Sequence, residues 1–243
     1  MRCLSRLLLL AAGGMLASCI DGREEFWLAA DGSGRAEIRY EVPAALASSL
    51  GGETGIEKLL ERFVRETPTL TSTSHRVTRQ GERMAVEFKA SFKSVLELIA
   101  AVSGDSVLAA GKFKPLVEPL IGHFDIRQRG LRVEMTRTVS PSKALPGAGF
   151  VPDSRFDGRR LVYILHLPVV AQESNATRTA DGGRTLIWDQ TLKEGLKKRV
   201  VIHFKAAMPL PWWSLAALVV ALGLLLGWLG RKGLRRWRGG GGV

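Results

Sequence analysis

The sequence predicts an α+β fold: a mostly antiparallel sheet of hairpins with helices packed on one face, followed by one C-terminal transmembrane helix. Three observations carry this. Several segments alternate apolar and charged residues with a period of two and meet at Gly-containing turns, as antiparallel strands with one buried face do. A few stretches between them repeat apolar residues at helical spacing. Near the end, residues 212–229 form an apolar run without a single charge.

The first 18 residues read as a signal peptide. Arg2 and Arg6 precede the apolar stretch 7–15, and small residues follow before a cut, which is the order of a secretory leader. Leu16-Ala17-Ser18-Cys19 resembles a bacterial lipobox. The resemblance implies that the leader is removed before Cys19 and that the Cys19 thiol carries an acyl anchor. Cys3 and Cys19 are the two cysteines of the chain, and both belong to this leader region. The exported domain, residues 19–208, therefore has no disulfide, although an oxidising address permits one.

That domain opens with a hairpin over residues 25–42. Ala36, Ile38, Tyr40 and Val42 alternate with charged residues, and Asp31-Gly32-Ser33-Gly34 supplies the positive φ of a tight turn. Residues 44–50 read as a short helix ended by Gly51-Gly52. Residues 56–66 read as a longer one, with Ile56, Leu59, Leu60, Phe63 and Val64 on one face. A second hairpin joins 74–80 to 84–91, and Ser94 caps a helix over 94–102 with Glu97 in the capping-box position. Residues 104–119 are apolar but broken by Gly111, Pro115 and Pro119, an irregular helical cover for the core. A third hairpin joins 124–129 to 131–139 at Gly130. Residues 140–159 are rich in Pro and Gly and read as a loop. The last strands fall at 160–167, 176–179, 185–188 and 199–205.

The run 212–229 spans about 27 Å at about 1.5 Å per residue, against a hydrocarbon core of roughly 30 Å. Trp212 and Trp213 mark one interface, and Trp228 with Trp237 the other. Arg231, Lys232, Arg235, Arg236 and Arg238 then hold the tail, 231–243, in the cytoplasm beside anionic headgroups. The transmembrane helix with its Pro joint occupies 209–230, and everything before it lies outside the cytoplasm. The net charge of +12 and pI of 10.3 owe part of their excess to this tail, so they are a membrane feature and no nucleic-acid partner is expected. Membrane lipid is the expected partner, through the acyl anchor and the helix, at the cytoplasmic (inner) membrane.

Cys19, the early Asp31-Gly32-Ser33-Gly34 hairpin, the late stretch from Asp181 to Asp189, the apolar strand after it and the C-terminal helix resemble the LppM-type bacterial lipoproteins. The resemblance covers the architecture from Cys19 to the tail. It implies an α+β domain on the outer face of the cytoplasmic membrane, linked in mycobacteria to lipid recognition, and it carries over no catalytic residue.

The chemistry-bearing residues do not cluster. His75, His123, His166 and His203 are scattered, without HExxH or a His/Cys group, so no metal and no cofactor are expected. Neither a GxSxG elbow nor a P-loop is present. Asp31-Gly32-Ser33-Gly34 and Asp181-Gly182-Gly183 lack the spaced carboxylates of a calcium loop and read as turns. Trp188 reads as core, and Asn175-Ala176-Thr177 matches a glycosylation acceptor of little weight here. Lys193, Lys197, Lys198 and Arg199 form a basic stretch that reads equally as a solvated face or a contact for anionic headgroups. The expected function is a non-catalytic envelope lipoprotein binding a lipid or a membrane-proximal protein partner. The alternative is an envelope-modifying enzyme. A deep apolar cavity between sheet and helices favours the first, and paired carboxylates or a buried His–carboxylate contact favours the second.

Overall fold

The computed structural model describes residues 20–103, 114–145, 148 and 152–207. Cys19 and the leader, and the predicted transmembrane helix and tail with Trp212, Trp213, Trp228, Arg231, Lys232, Arg235 and Arg236, lie outside the described residues. Among the described residues no helix is long and apolar enough to cross a membrane.

β1 (Asp21–Leu28) and β2 (Gly34–Pro43) form the first hairpin, with Leu28 opposite Gly34 as the closing pair. Gly32 takes φ +82° in the turn, and a Cβ on Gly34 would lie 2.2 Å from the Trp27 carbonyl oxygen, so both positions require glycine. α1 (Ala44–Ser49) follows Pro43, and α2 (Gly52–Glu66) begins earlier than its apolar spacing predicts. The reason is local: Glu53 and Thr54 in its first turn face solvent and leave no apolar mark. β3 (Leu70–Gln80) and β4 (Arg83–Phe92) make the second hairpin, and α3 (Val95–Ser103) starts where the Ser94 hydroxyl accepts from the Glu97 N–H at 3.3 Å. α4 (Lys114–Ile121) holds Pro119 inside it, and β5 (His123–Arg129) with β6 (Arg132–Val139) forms the third hairpin.

The expected single sheet is two sheets. Seven strands run β3-β4-β2-β1-β7-β10-β9 and four run β5-β6-β11-β8. β7 (Arg160–His166) enters the large sheet parallel to β1, the one parallel pair among the described strands. Its core run Leu161-Val162-Tyr163-Ile164-Leu165 is apolar without alternation, as a strand flanked on both sides tends to be. Where one strand is predicted at 176–179 there are two short ones, of which only the second overlaps that range. β8 (Ala171–Ser174) pairs with β11 (Val200–Ala207) in the small sheet, whereas β9 (Arg178–Ala180) pairs with β10 (Thr185–Thr191) in the large one. The chain changes sheets at Asn175. Its side-chain Oδ1 accepts from Trp188 Nε1 at 2.7 Å and from the His203 N–H at 2.8 Å, while Nδ2 donates to the Val201 carbonyl at 2.8 Å. Asn175 is thus a structural bridge.

The segment 140–159 is not a plain loop. α5 (Pro141–Ala144) is a single turn with proline at its start, and Ala144, Leu145, Ala148 and Phe156 are buried. α6 (Leu192–Lys197) was not expected either. Thr191 accepts from the Glu194 N–H at 3.2 Å while the Glu194 carboxylate accepts from the Thr191 N–H at 3.0 Å, a complete capping box.

Helices cover only part of the inner face of the large sheet. Ala47, Ile56 and Phe63 of α1 and α2 pack on Val77, Met84, Phe88 and Ala90. The other part faces the small sheet, where Leu161, Tyr163, Leu165, Leu186 and Trp188 meet Val139, Val200, Ile202, Phe204 and Ala206. A buried ion pair ties the sheets together. Arg137 of β6 donates to both oxygens of Glu24 on β1, at 2.5 and 3.1 Å, and to the carbonyls of Ile121 and Leu120 at the end of α4. The guanidinium therefore satisfies helix-terminal carbonyls and a carboxylate at once. Burial opposes its charge, but the Glu24 carboxylate outweighs that and raises its pKa. Tyr40 donates to Glu24 Oε1 at 2.5 Å; burial and that carboxylate push its phenol well above the ordinary range.

Candidate functional site

The outer face of the large sheet is a ladder of charges. Glu37 on β2 faces Lys89 on β4 at 3.0 Å, and Arg39 faces Glu87 at 3.5 Å. Toward the β1–β2 turn the pattern changes: Arg35 faces Ser91, and Trp27 lies opposite Arg35 on one side and His166 on the other. The Arg35 guanidinium sits 4.2 Å from the Trp27 ring centroid, and the His166 ring is stacked on Trp27 at 4.9 Å with an interplanar angle of 5°. Trp27 is held between two planar groups.

Beside this stack lies an open groove of about 540 Å³. Trp27, Leu28, Ala29, Ser33, Gly34 and Arg35 contribute one wall, and Thr71, Ser91, Phe92 and Lys93 the other. Backbone bonds fix the frame: Ala29 N–H donates to the Ser33 carbonyl at 2.8 Å, Lys93 N–H to Thr69 at 2.9 Å, and Val95 N–H to Gly32 at 2.8 Å. The last of these pins the start of α3 to the turn. Arg35 and Lys93 are exposed, and among the described residues no carboxylate pairs with either. Asp31, the acid of the turn, is spent on Ser33, whose hydroxyl and backbone N–H hold its carboxyl below the usual range.

Next to the stack runs the histidine–carboxylate contact that an enzyme would use. His166 Nε2 is 2.8 Å from Glu25 Oε1 and Nδ1 is 3.0 Å from Thr185 Oγ1. The Thr185 hydroxyl in turn meets Asp181 Oδ2. On the other side the carboxylate of Glu25 accepts. Both ring nitrogens are thus engaged by side chains of the domain itself. Thr185 is buried as well, out of reach of a substrate. Burial works against the Glu25 charge, but hydrogen bonds from His166 and Arg23 prevail and hold its carboxyl below the ordinary value.

The remaining predicted residues fall apart from one another. His75 is on β3, His123 on β5 and His203 on β11, where its Nδ1 lies 3.0 Å from Thr136 Oγ1. Among the described residues no group of three or more His, Cys, Asp or Glu is placed to hold a metal ion. Asp31-Gly32-Ser33-Gly34 is a hairpin turn, and Asp181–Gly183 is a tight turn in the left-handed region, with φ of 52°, 63° and 88°. Trp188 is core, 1% exposed. Lys193 and Lys197 share Asp153 at 2.9 and 3.3 Å, while Lys198 and Arg199 are exposed. Cys19 and the anchor residues lie outside the described residues.

The groove was not expected from the sequence. A closing pair of Leu28 and Gly34 would have put Trp27 beside Arg35, a local signal. Lys93, Thr71 and His166 reach the site through long-range pairing.

No protein-family model matches the chain, and no curated protein does. Among solved structures, the chain is similar to the NMR structure of the folded domain of LppM from Mycobacterium tuberculosis, with a TM-score of 0.47 and 11% identity over 79% of this chain and 91% of that one.

Proposed function

We propose that the protein is a non-catalytic lipoprotein of a bacterial envelope, held at the cytoplasmic membrane by an acyl group on Cys19 and by the helix at 212–229. Its exported domain binds a lipid or a membrane-proximal protein partner. The observation that supports binding is the groove beside Trp27: its volume of about 540 Å³ is within the roughly 300–1,000 Å³ of ligand pockets, and it presents two cations that no carboxylate among the described residues pairs with. The enzyme reading draws on the Glu25–His166 contact, where both ring nitrogens are already engaged by residues of the domain itself.

Native mass spectrometry of the full-length protein extracted in a mild detergent tests this. Expected is a population heavier than the acylated chain that loses a non-covalent ligand on collisional activation. A ligand-free protein that also ignores lipid vesicles and envelope extracts would overturn the binding reading.

A further inference from the structure

Two neighbouring rungs of the outer face pair opposite charges across β2 and β4. Arg39 faces Glu87 and Glu37 faces Lys89, each cation with a carboxylate across the strand pair, as cross-strand pairs favour. The flanking rungs lack a cross-strand partner: Glu41 faces Ala85 but is met by Arg39 and Arg83, whereas Arg35 faces Ser91 and meets no carboxylate among the described residues. Arg35 is nonetheless not a loose surface arginine. Its Cζ lies 4.2 Å from the Trp27 ring centroid and His166 stacks on the same indole, so the guanidinium is held beside the groove, where its N–H groups suit a forked contact with an oxyanion. Lys93 and the hydroxyls of Ser91 and Thr71 line the same groove.

We propose that this groove binds a phosphate ester, with the phosphate taking the place of the missing carboxylate opposite Arg35. A carboxylate would satisfy the guanidinium alone. A phosphate offers further oxygens and charge for Lys93 and for the two hydroxyls, and the organic part of the ester lies along Leu28 and the edge of Trp27. The assignment rests on the binding reading above and names its ligand chemistry. A lipid headgroup and a soluble phosphate ester share that chemistry.

The test uses full-length protein in a maltoside detergent, titrated calorimetrically with glycerol 3-phosphate in one arm and short-chain phosphatidylglycerol in the other. Expected is saturable binding in at least one arm, roughly tenfold to a hundredfold weaker in Arg35→Ala, the loss typical of a charge-assisted contact. Ser91→Glu completes the ladder from within and abolishes binding while its thermal midpoint stays at or above that of the wild type. Lys58→Ala, on α2 across the sheet, changes nothing. Arg35-dependent binding of the phospholipid alone assigns a headgroup, and of glycerol 3-phosphate assigns a soluble ester; either supports the site. Binding that survives Arg35→Ala and Ser91→Glu, or that Lys58→Ala weakens equally, overturns it. A co-purified ligand retained by Ser91→Glu would overturn this assignment and leave the broader binding reading standing, whereas an empty protein in every arm would remove both.

Discussion

Glu24, Arg137 and Tyr163, which are buried, and Tyr40, which is partly buried, behave differently although they sit together. Glu24 and Arg137 are 5% and 7% exposed, and each is the main charge partner of the other. Glu24→Gln leaves a buried guanidinium without its counter-charge, and the expected loss is about 3–5 kcal/mol. Tyr163 is the opposite case. Its hydroxyl is buried beside that of Tyr40, yet no group meets it in hydrogen-bond geometry among the described residues, and burial pushes its pKa up. Tyr163→Phe removes an unpaired polar atom and is expected to be neutral or stabilising by up to about 1 kcal/mol. Thermal unfolding of the two variants in detergent separates these effects; a costly Tyr163→Phe would mean that the hydroxyl has a partner. On the outer face, Glu25 has a carboxyl pKa depressed below its unfolded value. A depressed carboxylate contributes stability that is present above the ordinary glutamate range and lost as pH falls through the lower folded value. Unfolding midpoints measured across that acidic range should therefore fall less steeply in Glu25→Gln than in the wild type.

Among the elements, the hairpins and the amphipathic helix α2 were legible because each carries its pattern within one continuous stretch. Ala36, Ile38 and Tyr40 alternate, and Ile56, Leu60 and Phe63 recur on a helical face. What was not legible depends on which strand meets which. Nothing near β7 says that it lies between β1 and β10, and nothing local sends β8 and β9 to different sheets. α6 is an exception: Thr191 and Glu194 spell a capping box three residues apart, a signal local to the sequence. The site divides in the same way, since Trp27 and Arg35 meet through a short hairpin whereas His166 and Lys93 arrive from distant strands. Asn175 shows the cost of such non-local design. Asn175→Ala orphans the Trp188 indole N–H and the Val201 carbonyl at the point where the chain changes sheets, and should destabilise by about 1–3 kcal/mol. Calorimetric unfolding of that variant checks it, and an unchanged midpoint would show that other groups hold the crossing.

The whole chain combines a disulfide-free domain with two expected attachments, at Cys19 before it and at the apolar run 212–229 after it. A single acyl chain gives reversible membrane binding, whereas a transmembrane helix is effectively permanent. Cys19→Ala should therefore lose metabolic labelling with fatty acid and stay in the membrane fraction; its release into the soluble fraction would remove the helix as an anchor. Confinement beside the bilayer raises the local concentration of membrane-proximal ligands, and the groove at the β1–β2 turn is where one is expected to settle. Hydrogen–deuterium exchange of the full-length protein, before and after its bound ligand is stripped, locates that ligand directly. The account predicts that stripping increases exchange at the β1–β2 turn and at the end of β4, around Trp27, Arg35 and Lys93. An unchanged pattern there, or a change confined to another part of the domain, would contradict it.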